Sequence, residues 1–467
     1  MNLTFRRCYA TSSLAAFALT TFYVAAGALA YLPQDARAAG VATTPPMGWN
    51  SYDSYGTDVT EAQFRANALW MSRHLARYGW RYVVIDAEWF VPHPMASGSG
   101  APSATFALDK YGRYVPDLTR FPSAANGAGF KPLADYVHSL GLKFGIHILR
   151  GIPREAVARN LPIEGSPYTA AQAADVRATC PWNPDNYGVD SHGPAGQAYY
   201  NSIARLYASW GVDLIKADCI ADHPYAGEEI RMLSTALAAS GRGMVLSLSP
   251  GPAAIDEAAA FRRYSNMWRI SNDVWDLWQG AADYPQGVSQ QFPRAARWAP
   301  LAEAGHWPDA DMLALGYLGP TPGLGKPRET RLTHAEQRTY LTLWCIARSP
   351  LFMGGNLTRA DRWTEELLEN PEVIAVDQEA TDDHQALARD GFVVWLSKPD
   401  SGGGWYVAAF NTQPRARTLT LGWQDLGLPA AHYAQRDLWQ HRDRGVAGSL
   451  DVHLDGHGAA LYRLQSR

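Results

Sequence analysis

The chain has 467 residues, of which 47% are hydrophobic and 18% are charged. This length suits one large domain followed by a smaller one, and the composition allows a sizeable core and argues against long disordered regions. The formal net charge of −4 gives no signature of a nucleic-acid-binding protein.

Residues 1–38 have the pattern of a secretion signal. Arg6 and Arg7 form a basic start, and an apolar run extends from about Leu14 to Ala30. The run is short for a membrane span, so we expect a cleaved signal peptide rather than an anchor. The mature protein is therefore expected in the periplasm or outside the cell, without a membrane association.

The cysteines are few. Cys8 would leave with the signal, and Cys180, Cys219 and Cys345 would remain. An odd number of cysteines in an exported protein permits at most one internal disulfide if one thiol stays free. No CxxC pair and no HxH or HExxH spacing occurs, so we expect no metal site.

Residues 39–378 alternate short β-like apolar runs with amphipathic segments whose apolar residues recur at helical spacing. The predicted strands are Met47–Ser51, Tyr82–Glu88, Lys143–Leu149, Leu214–Cys219, Met244–Ser249, Met267–Ser271, Asp311–Ala314 and Pro350–Met353. The predicted helices include Glu61–Tyr78, Lys131–Leu140, Gly196–Trp210 and Ala335–Ala347. Eight such units predict a (β/α)8 TIM barrel, with a doubly wound sheet as the alternative. Neither a GxGxxG nor a GxxxxGK[ST] motif is present, so nucleotide binding has no support.

Residues 379–467 have a different pattern, in which short alternating runs are separated by turn clusters. The runs are Phe392–Ser397, Trp405–Phe410, Arg417–Leu421, His432–Leu438 and Gly458–Leu464. They predict a small antiparallel β domain, which we expect to pack on the barrel rather than to bind carbohydrate.

Functional side chains of a TIM barrel lie at the C-terminal ends of its strands. The polar residues predicted there are Asp86, His147, Lys216, Asp218, Ser249, Arg269, Asp273, Asp309 and Asp311. A single Asp in such a place is about as often a cap or turn residue. Lys216 and Asp218, however, have the i, i+2 spacing that places both side chains on one face of a strand, here the barrel interior. Burying such a charged pair is costly, which favours a functional reason for it.

Two carboxyl groups at neighbouring strand ends fit the hydrolysis of a glycosidic bond. One carboxylate attacks the anomeric carbon, and one carboxylic acid protonates the leaving oxygen. A neighbouring cation keeps a nucleophile ionised, and a less polar site keeps an acid protonated. Asp218 beside Lys216 fits the first requirement. Asp273, just past the sixth strand, is expected to meet the second.

Seven motifs at the predicted strand ends resemble those of glycoside hydrolase family 27, and they occur in the same order. They read "PPMGWNSY", "VVIDAEW", "LKFGIHI", "DLIKADC", "MWRISND", "HWPDADML" and "ARSPLFMGGNL". The resemblance extends from about Thr44 to the end of the chain. It implies a TIM barrel with a C-terminal β domain, a carbohydrate substrate, and neither a metal nor an organic cofactor.

The resemblance also implies roles for individual residues. It makes Asp218 the nucleophile of a retaining double displacement and Asp273 the acid/base, with Lys216 and Arg269 as sugar ligands. It places the remaining substrate-binding candidates around the sugar, and these are Trp49, Tyr52, Asp86, His147, Ser249, Asp311 and Met312.

Several pocket positions depart from the usual α-galactosidase pattern. The second strand ends in Asp86, Ala87 and Glu88, where two consecutive carboxylates are usual. Tyr52 stands in place of Trp, and His147 in place of Tyr. A lone His on an apolar strand is more often structural than catalytic. Ser249 stands where many members have Glu.

Cys219 lies one residue earlier than the family's usual cysteine, so the disulfide near the nucleophile is expected to have no counterpart.

These departures affect the sugar more than the reaction. We expect removal of terminal α-D-galactosyl groups. The alternatives are an isomaltodextranase-like α-1,6-glucan hydrolase, a β-L-arabinopyranosidase and an α-N-acetylgalactosaminidase. A sugar-binding protein on a degenerate barrel is the non-enzymatic alternative, and the presence of both Asp218 and Asp273 argues against it.

Overall fold

A computed structural model describes residues 40–92, 106–319 and 326–466, so the predicted signal segment 1–38 lies outside the described residues. Eight parallel strands form one sheet. They are β1 Met47–Asn50, β2 Tyr82–Ile85, β3 Lys143–Leu149, β4 Leu214–Asp218, β5 Val245–Leu248, β6 Met267–Arg269, β7 Trp307–Asp309 and β8 Leu351–Met353.

The strand order is that of a barrel. Neighbouring strands follow one another in sequence from β7 to β1, and β8 pairs with β1. The chain just after β7 bridges β8 through Leu313 and Met353, and the Leu313 amide donates to the Phe352 carbonyl over 2.7 Å. A doubly wound sheet would reverse its strand order at a switch point, and this sheet does not. The TIM-like architecture is therefore confirmed.

Eight helices connect or follow these strands. They are α1 Glu61–His74, α2 Lys131–Ser139, α3 Pro194–Trp210, α4 Gly227–Ala239, α5 Ala258–Tyr264, α6 Gln291–Trp298, α7 His334–Ile346 and α8 Pro371–Glu379. Further helices span Tyr52–Tyr55, Arg154–Ala158, Ala170–Ala173 and Arg362–Leu368. The four predicted helices are all present.

Local sequence explains where several helices begin and end. Thr60 and Thr333 each form a capping box with the Gln or Glu three residues later, which satisfies free amides at the starts of α1 and α7. α3 ends at Gly211, whose positive φ of 84° is accessible to glycine at low cost. Pro371 opens α8, and Asn370 caps it.

Side chains of the barrel strands alternate between the interior and the helix layer. A separate apolar cluster fills the lower part of the interior and comprises Tyr82, Val84, Leu214, Val245, Met267, Trp307 and Phe352. Polar residues follow toward the C-terminal ends, among them Asn50, Lys216, Arg269 and Asp309. This change from apolar to charged side chains gives the barrel a packed base and a reactive upper end.

Two strand predictions need correction. The seventh strand is Trp307–Asp309 and not Asp311–Ala314. Asp311 has a φ of 98°, which interrupts extended backbone, and the apolar residues after it turn to meet β8. In addition, the segment after β3 contains a three-stranded antiparallel sheet, formed by Ile152–Pro153, Ala174–Thr179 and Asn186–Val189, that sequence did not predict.

The C-terminal domain is antiparallel, as predicted. Its strands are Ala380–Arg389, Phe392–Pro399, Trp405–Asn411, Arg417–Gly422, Tyr433–Asp437, Arg442–Ala447, Ser449–Leu454 and Ala459–Ser466, arranged in sheets of six and two strands. The first, sixth and seventh of them were not predicted.

The barrel and the C-terminal domain belong to one compact unit. Trp278 stacks on His457 with ring centroids 4.1 Å apart, and Phe292 of α6 contacts Phe410 edge-on at 5.1 Å. Aromatic contacts of this kind stabilise an interface beyond the apolar area that they bury. The domain thus packs directly on the barrel.

Candidate active site

The first part of the site is a buried ion pair at the ends of β2 and β4. Lys216 Nζ lies 2.9 Å from Asp86 Oδ2, and Asn50 Nδ2 donates to the same oxygen over 2.7 Å. Burial opposes a charge on Asp86, but Lys216 and His147 outweigh it and hold the pKa of this carboxyl well below its usual range. Burial would lower the pKa of Lys216, but the charges of Asp86 and Asp218 raise it. Both groups are therefore charged at neutral pH.

The second part is Asp218 at the end of β4. Its Oδ2 lies 3.3 Å from His147 Nε2, and its Oδ1 accepts a hydrogen bond of 2.8 Å from the Cys219 amide. Burial raises the pKa of Asp218, but the hydrogen bond from His147, the charges of His147 and Lys216 and the Cys219 amide together lower it below its usual value. A carboxylate held ionised in this way is suited to nucleophilic attack.

The third part is a guanidinium with two carboxylates at the ends of β6 and β7. Arg269 Nη2 lies 3.1 Å from Asp273 Oδ1 and 2.8 Å from Asp311 Oδ2. The side chains of Arg269 and Asp311 are each 3% exposed, whereas that of Asp273 is 44% exposed. Asp273 is therefore the member of this group that substrate and water can reach. Sequence placed it in a less polar site, and this is wrong because it lies beside a guanidinium at a solvent-accessible edge.

Backbone hydrogen bonds position Asp311. Its carboxylate accepts from the amides of Val274 and Met312, each over 2.7 Å. One carboxylate thus joins the loop that carries Asp273 to the end of β7. Met312 also lines a small central cavity of about 20 Å³ inside the barrel, together with Lys216 and Arg269.

Three further predicted residues lie near these groups. The Tyr52 amide donates to Asn50 Oδ1 over 2.9 Å, and burial followed by the charges of Asp273 and Asp86 raises the pKa of the Tyr52 hydroxyl well above its usual value. Tyr52 is therefore close enough to both carboxylates to feel their charges. Ser249 is buried at the end of β5, where its amide donates to the Ala217 carbonyl, next to Asp218. His147, which sequence treated as more often structural, contacts Asp218 directly.

The predicted role of Trp49 in the sugar pocket is wrong. Its side chain is fully buried, packs on Tyr55 and Phe64, and donates to the Gly355 carbonyl over 2.9 Å. Asn50, the next residue, faces the interior instead and contacts Asp86. Because side chains alternate along β1, the two neighbours cannot both face the pocket.

The expectation of no disulfide near the nucleophile is also wrong. Cys180 and Cys219 form a disulfide with a Cα–Cα distance of 5.9 Å. It links the residue after Asp218 to the segment between the second and third strands of the small three-stranded sheet. Cys345 is a buried free cysteine.

Sequence reasoning missed three residues at this end of the barrel. Asn50 could have been found from its interior position in β1. Asp53 is 2% exposed, and burial together with the charge of Asp311 raises its pKa well above the usual value. Glycine is required at position 354, because a Cβ there would lie 2.0 Å from Asp53 Oδ2. Tyr284 lies on the loop after Asp273, where no sequence pattern distinguishes it.

Residues 40–92, 106–319 and 326–466 contain no group of three or more His, Cys, Asp or Glu side chains that could hold a metal ion. Over the same ranges, no helix has the length and apolar character needed to cross a membrane.

Comparison with known proteins agrees with the fold. The family model described as alpha galactosidase A matches residues 185–379, and the model for the alpha galactosidase C-terminal beta sandwich domain matches residues 389–464. Among solved structures, a family 27 β-L-arabinopyranosidase from Geobacillus stearothermophilus is 44% identical, with a TM-score of 0.87, and the alignment covers 92% of this chain and 98% of that one. A variant of that enzyme was solved in complex with arabinose.

Curated relatives carry a different activity. An α-galactosidase from Coffea arabica is 30% identical over 440 residues, which are 93% of this chain and 97% of that protein. An α-galactosidase from Cyamopsis tetragonoloba is 29% identical over 434 residues, or 92% and 88% of the two chains.

A parallel barrel whose C-terminal end holds carboxylates beside buried cations, followed by a β domain, defines the protein as a glycoside hydrolase. The chain belongs to glycoside hydrolase family 27, the α-galactosidase family. The family resemblance of the sequence motifs is thereby confirmed.

Proposed function

We propose that the protein is a retaining exo-glycosidase that removes terminal β-L-arabinopyranosyl groups, with Asp218 as nucleophile and Asp273 as acid/base. The observation that supports this mechanism is the contrast between the surroundings of these two carboxylates. Asp218 is held ionised by His147 and Lys216, whereas Asp273 lies at an accessible edge on Arg269. The presence of both carboxylates in these settings also argues against a binding protein without turnover.

The reaction would proceed in two steps. In the first, Asp218 attacks the anomeric carbon, the bond to the leaving oxygen breaks, and Asp273 gives that oxygen its proton. In the second, Asp273 takes a proton from water, which attacks the same carbon and releases Asp218. Two inversions give net retention. The exposure of Asp273 supports its role, because both the leaving group and the water must reach it.

The choice of sugar rests on the end of β2. α-D-galactose and β-L-arabinopyranose share the configuration of their ring hydroxyls, but the latter lacks the hydroxymethyl group. In the family pattern, two consecutive carboxylates at this place hold the 4- and 6-hydroxyls of galactose. Asp86 remains as one acceptor, and Ala87 supplies no acceptor in place of the second carboxylate. A site without a hydrogen-bond partner for the 6-hydroxyl loses affinity for galactose. Its affinity for arabinopyranose is unchanged, because that sugar has no 6-hydroxyl. The 44% identity to a β-L-arabinopyranosidase supports the same choice.

An α-galactosidase is the second candidate, and the curated relatives favour it. A panel of aryl β-L-arabinopyranoside, α-D-galactoside, α-D-glucoside and α-N-acetylgalactosaminide separates the possibilities. We expect kcat/KM to be about tenfold or more higher for the arabinopyranoside than for the galactoside. A preference for the galactoside would support the second candidate, and a preference for the glucoside or the N-acetylgalactosaminide would overturn both.

An engineered carboxylate tests the physical reason for this choice. Ala87→Asp should raise kcat/KM for the galactoside relative to the arabinopyranoside, because it restores an acceptor for the 6-hydroxyl. Ala87→Asn is the matched control of similar size without the charge. If neither variant changes the ratio, position 87 does not set the choice of sugar.

We further propose that the protein is exported to the periplasm or the cell exterior. The signal-like pattern of residues 1–38 supports this, as does the Cys180–Cys219 disulfide, since disulfides persist mainly in oxidising compartments. Fractionation of cells that express the full chain tests the location, and recovery of all activity in the cytosol would overturn it.

A further inference from the structure

The loop between Asp273 and Gln286 returns to its own start. The Gln286 amide donates to the Asp273 carbonyl over 2.9 Å, and the Trp275 amide donates to the Gln286 carbonyl over 3.0 Å. Val274 and Gln286 also form a parallel bridge. The residues just before Gln286 are therefore held beside Asp273.

Side-chain hydrogen bonds hold this loop in shape. Gln290 Oε1 accepts from the amides of Gly280 and Gly287 over 2.9 and 2.8 Å, and its Nε2 donates to the Ala281 carbonyl over 2.6 Å. Gln286 Nε2 donates to the Ala282 carbonyl over 2.9 Å. A loop fixed in this way loses little conformational freedom when a ligand lies against it.

Tyr284, two residues before Gln286, has a side chain that is free to make new contacts. It is 48% exposed, which is unusual for a large aromatic residue in this protein. Its partial burial, followed by the charges of Asp273 and Asp53, raises the pKa of the Tyr284 hydroxyl to about 12. Tyr284 in turn contributes to the raised pKa of Tyr52. Tyr284 thus lies beside Asp273, because its loop closes on the Asp273 carbonyl through the Gln286 amide two residues later.

This position corresponds to one part of the substrate. The acid that protonates the leaving oxygen must touch that oxygen, so the leaving group lies next to Asp273. Aromatic rings bind the C–H face of a sugar ring or the face of an aryl ring through apolar contact.

We propose that Tyr284 forms the binding subsite for the leaving group and stacks its exposed ring on the pyranose or aryl ring attached to the scissile oxygen. This assignment rests on the proposed role of Asp273 as acid/base. Tyr284 selects for leaving groups that carry a ring and makes no contribution to binding of the sugar that is transferred.

Two substrates with the same transferred sugar isolate this contribution. A p-nitrophenyl glycoside has a ring in its leaving group, whereas a glycosyl fluoride has none, and neither leaving group needs strong protonation. Tyr284→Ala should lower kcat/KM for the nitrophenyl substrate about 2- to 10-fold and leave kcat/KM for the fluoride unchanged. Tyr284→Phe keeps the ring and should behave like the unmodified protein toward both substrates.

Val446→Ala is the matched control, because Val446 is another exposed apolar residue (40%) but lies in the C-terminal domain, and it should change neither value. Inhibition by the free monosaccharide should be the same in all variants. Equal losses on the two substrates, or no loss on either, would overturn the assignment of Tyr284. Failure of the unmodified protein to cleave either substrate would instead overturn the proposed function, and this assignment with it.

Discussion

Lys216→Met removes the cation of the buried pair and leaves Asp86 without its strongest partner. The two side chains are 16% and 3% exposed, so the pair follows the energetics of buried ions rather than the weak energetics of surface ions. At a separation of 2.9 Å the attraction is about 6 kcal/mol with an effective dielectric constant near 20, which sets an upper limit. The hydrogen bond from Asn50 remains. We expect a loss of about 3–5 kcal/mol in the free energy of unfolding at pH 7.

The loss should depend on pH. In the unmodified protein the pKa of Asp86 is depressed, so its stabilising contribution is present above the unfolded-state pKa and declines as pH falls. In the variant, the buried carboxyl has no cation, and its folded-state pKa rises above the unfolded value of about 4. The Lys216→Met variant is then most stable in acid, and its stability falls as pH rises toward the folded-state pKa of Asp86. The two proteins should therefore differ most at neutral pH and approach each other in acid.

Thermal unfolding of the mature protein at pH 4 and pH 7 measures this difference. The double variant Asp86→Asn/Lys216→Met removes the uncompensated charge and should recover much of the lost stability at pH 7 without recovering activity. The reasoning fails if the double variant is no more stable than Lys216→Met, or if the loss is the same at both pH values.

Further changes test other parts of the protein. Asp273→Ala should reduce turnover of substrates with poor leaving groups far more than turnover of activated aryl glycosides, and equal losses would remove Asp273 from the acid role. Proton NMR of the first-formed sugar should show the anomeric configuration of the substrate, whereas an inverted product would rule out a covalent intermediate on Asp218. Cys180→Ser should lower the free energy of unfolding by about 4 kcal/mol, because the bond closes a loop with a sequence separation of 39, and reduction of the unmodified protein should have the same effect. Burial raises the pKa of Asp383 to about 7, so its stabilising contribution is complete below about pH 4 and is lost as pH rises through 7. Asp383→Asn should abolish that loss of stability with rising pH. If the variant and the unmodified protein have the same pH profile of the Tm, the raised pKa of Asp383 is refuted.

Much of this protein could be predicted from its sequence because the relevant signals are local. Period-two and helical spacing located seven of the eight barrel strands and four of the helices around them. The i, i+2 spacing of Lys216 and Asp218 placed both at the interior end of β4, where Lys216 lines the central cavity and Asp218 contacts His147. The carboxylates at strand ends could be identified because a parallel barrel gathers all those ends on one face.

Other features were decided only by contacts between distant segments. Trp49 and Asn50 are both compatible with β1. Only the packing of Trp49 against Phe64 of α1 and the contact of Asn50 with Asp86, just after β2, show which of them faces the interior. The residues after β7 bend because Asp311 takes a positive φ and uses its carboxylate to bind the loop after β6.

The disulfide and the accessible edge of the site depend on the same kind of long-range placement. Cys180 reaches Cys219 because the small sheet after β3 returns it to Leu149 at the end of β3, which pairs with Asp218 of β4. Tyr284 lies beside Asp273 only because its loop closes through Gln286. Sequence spacing determines which face of a strand a side chain occupies, but the distance between two loops depends on the packed barrel beneath them.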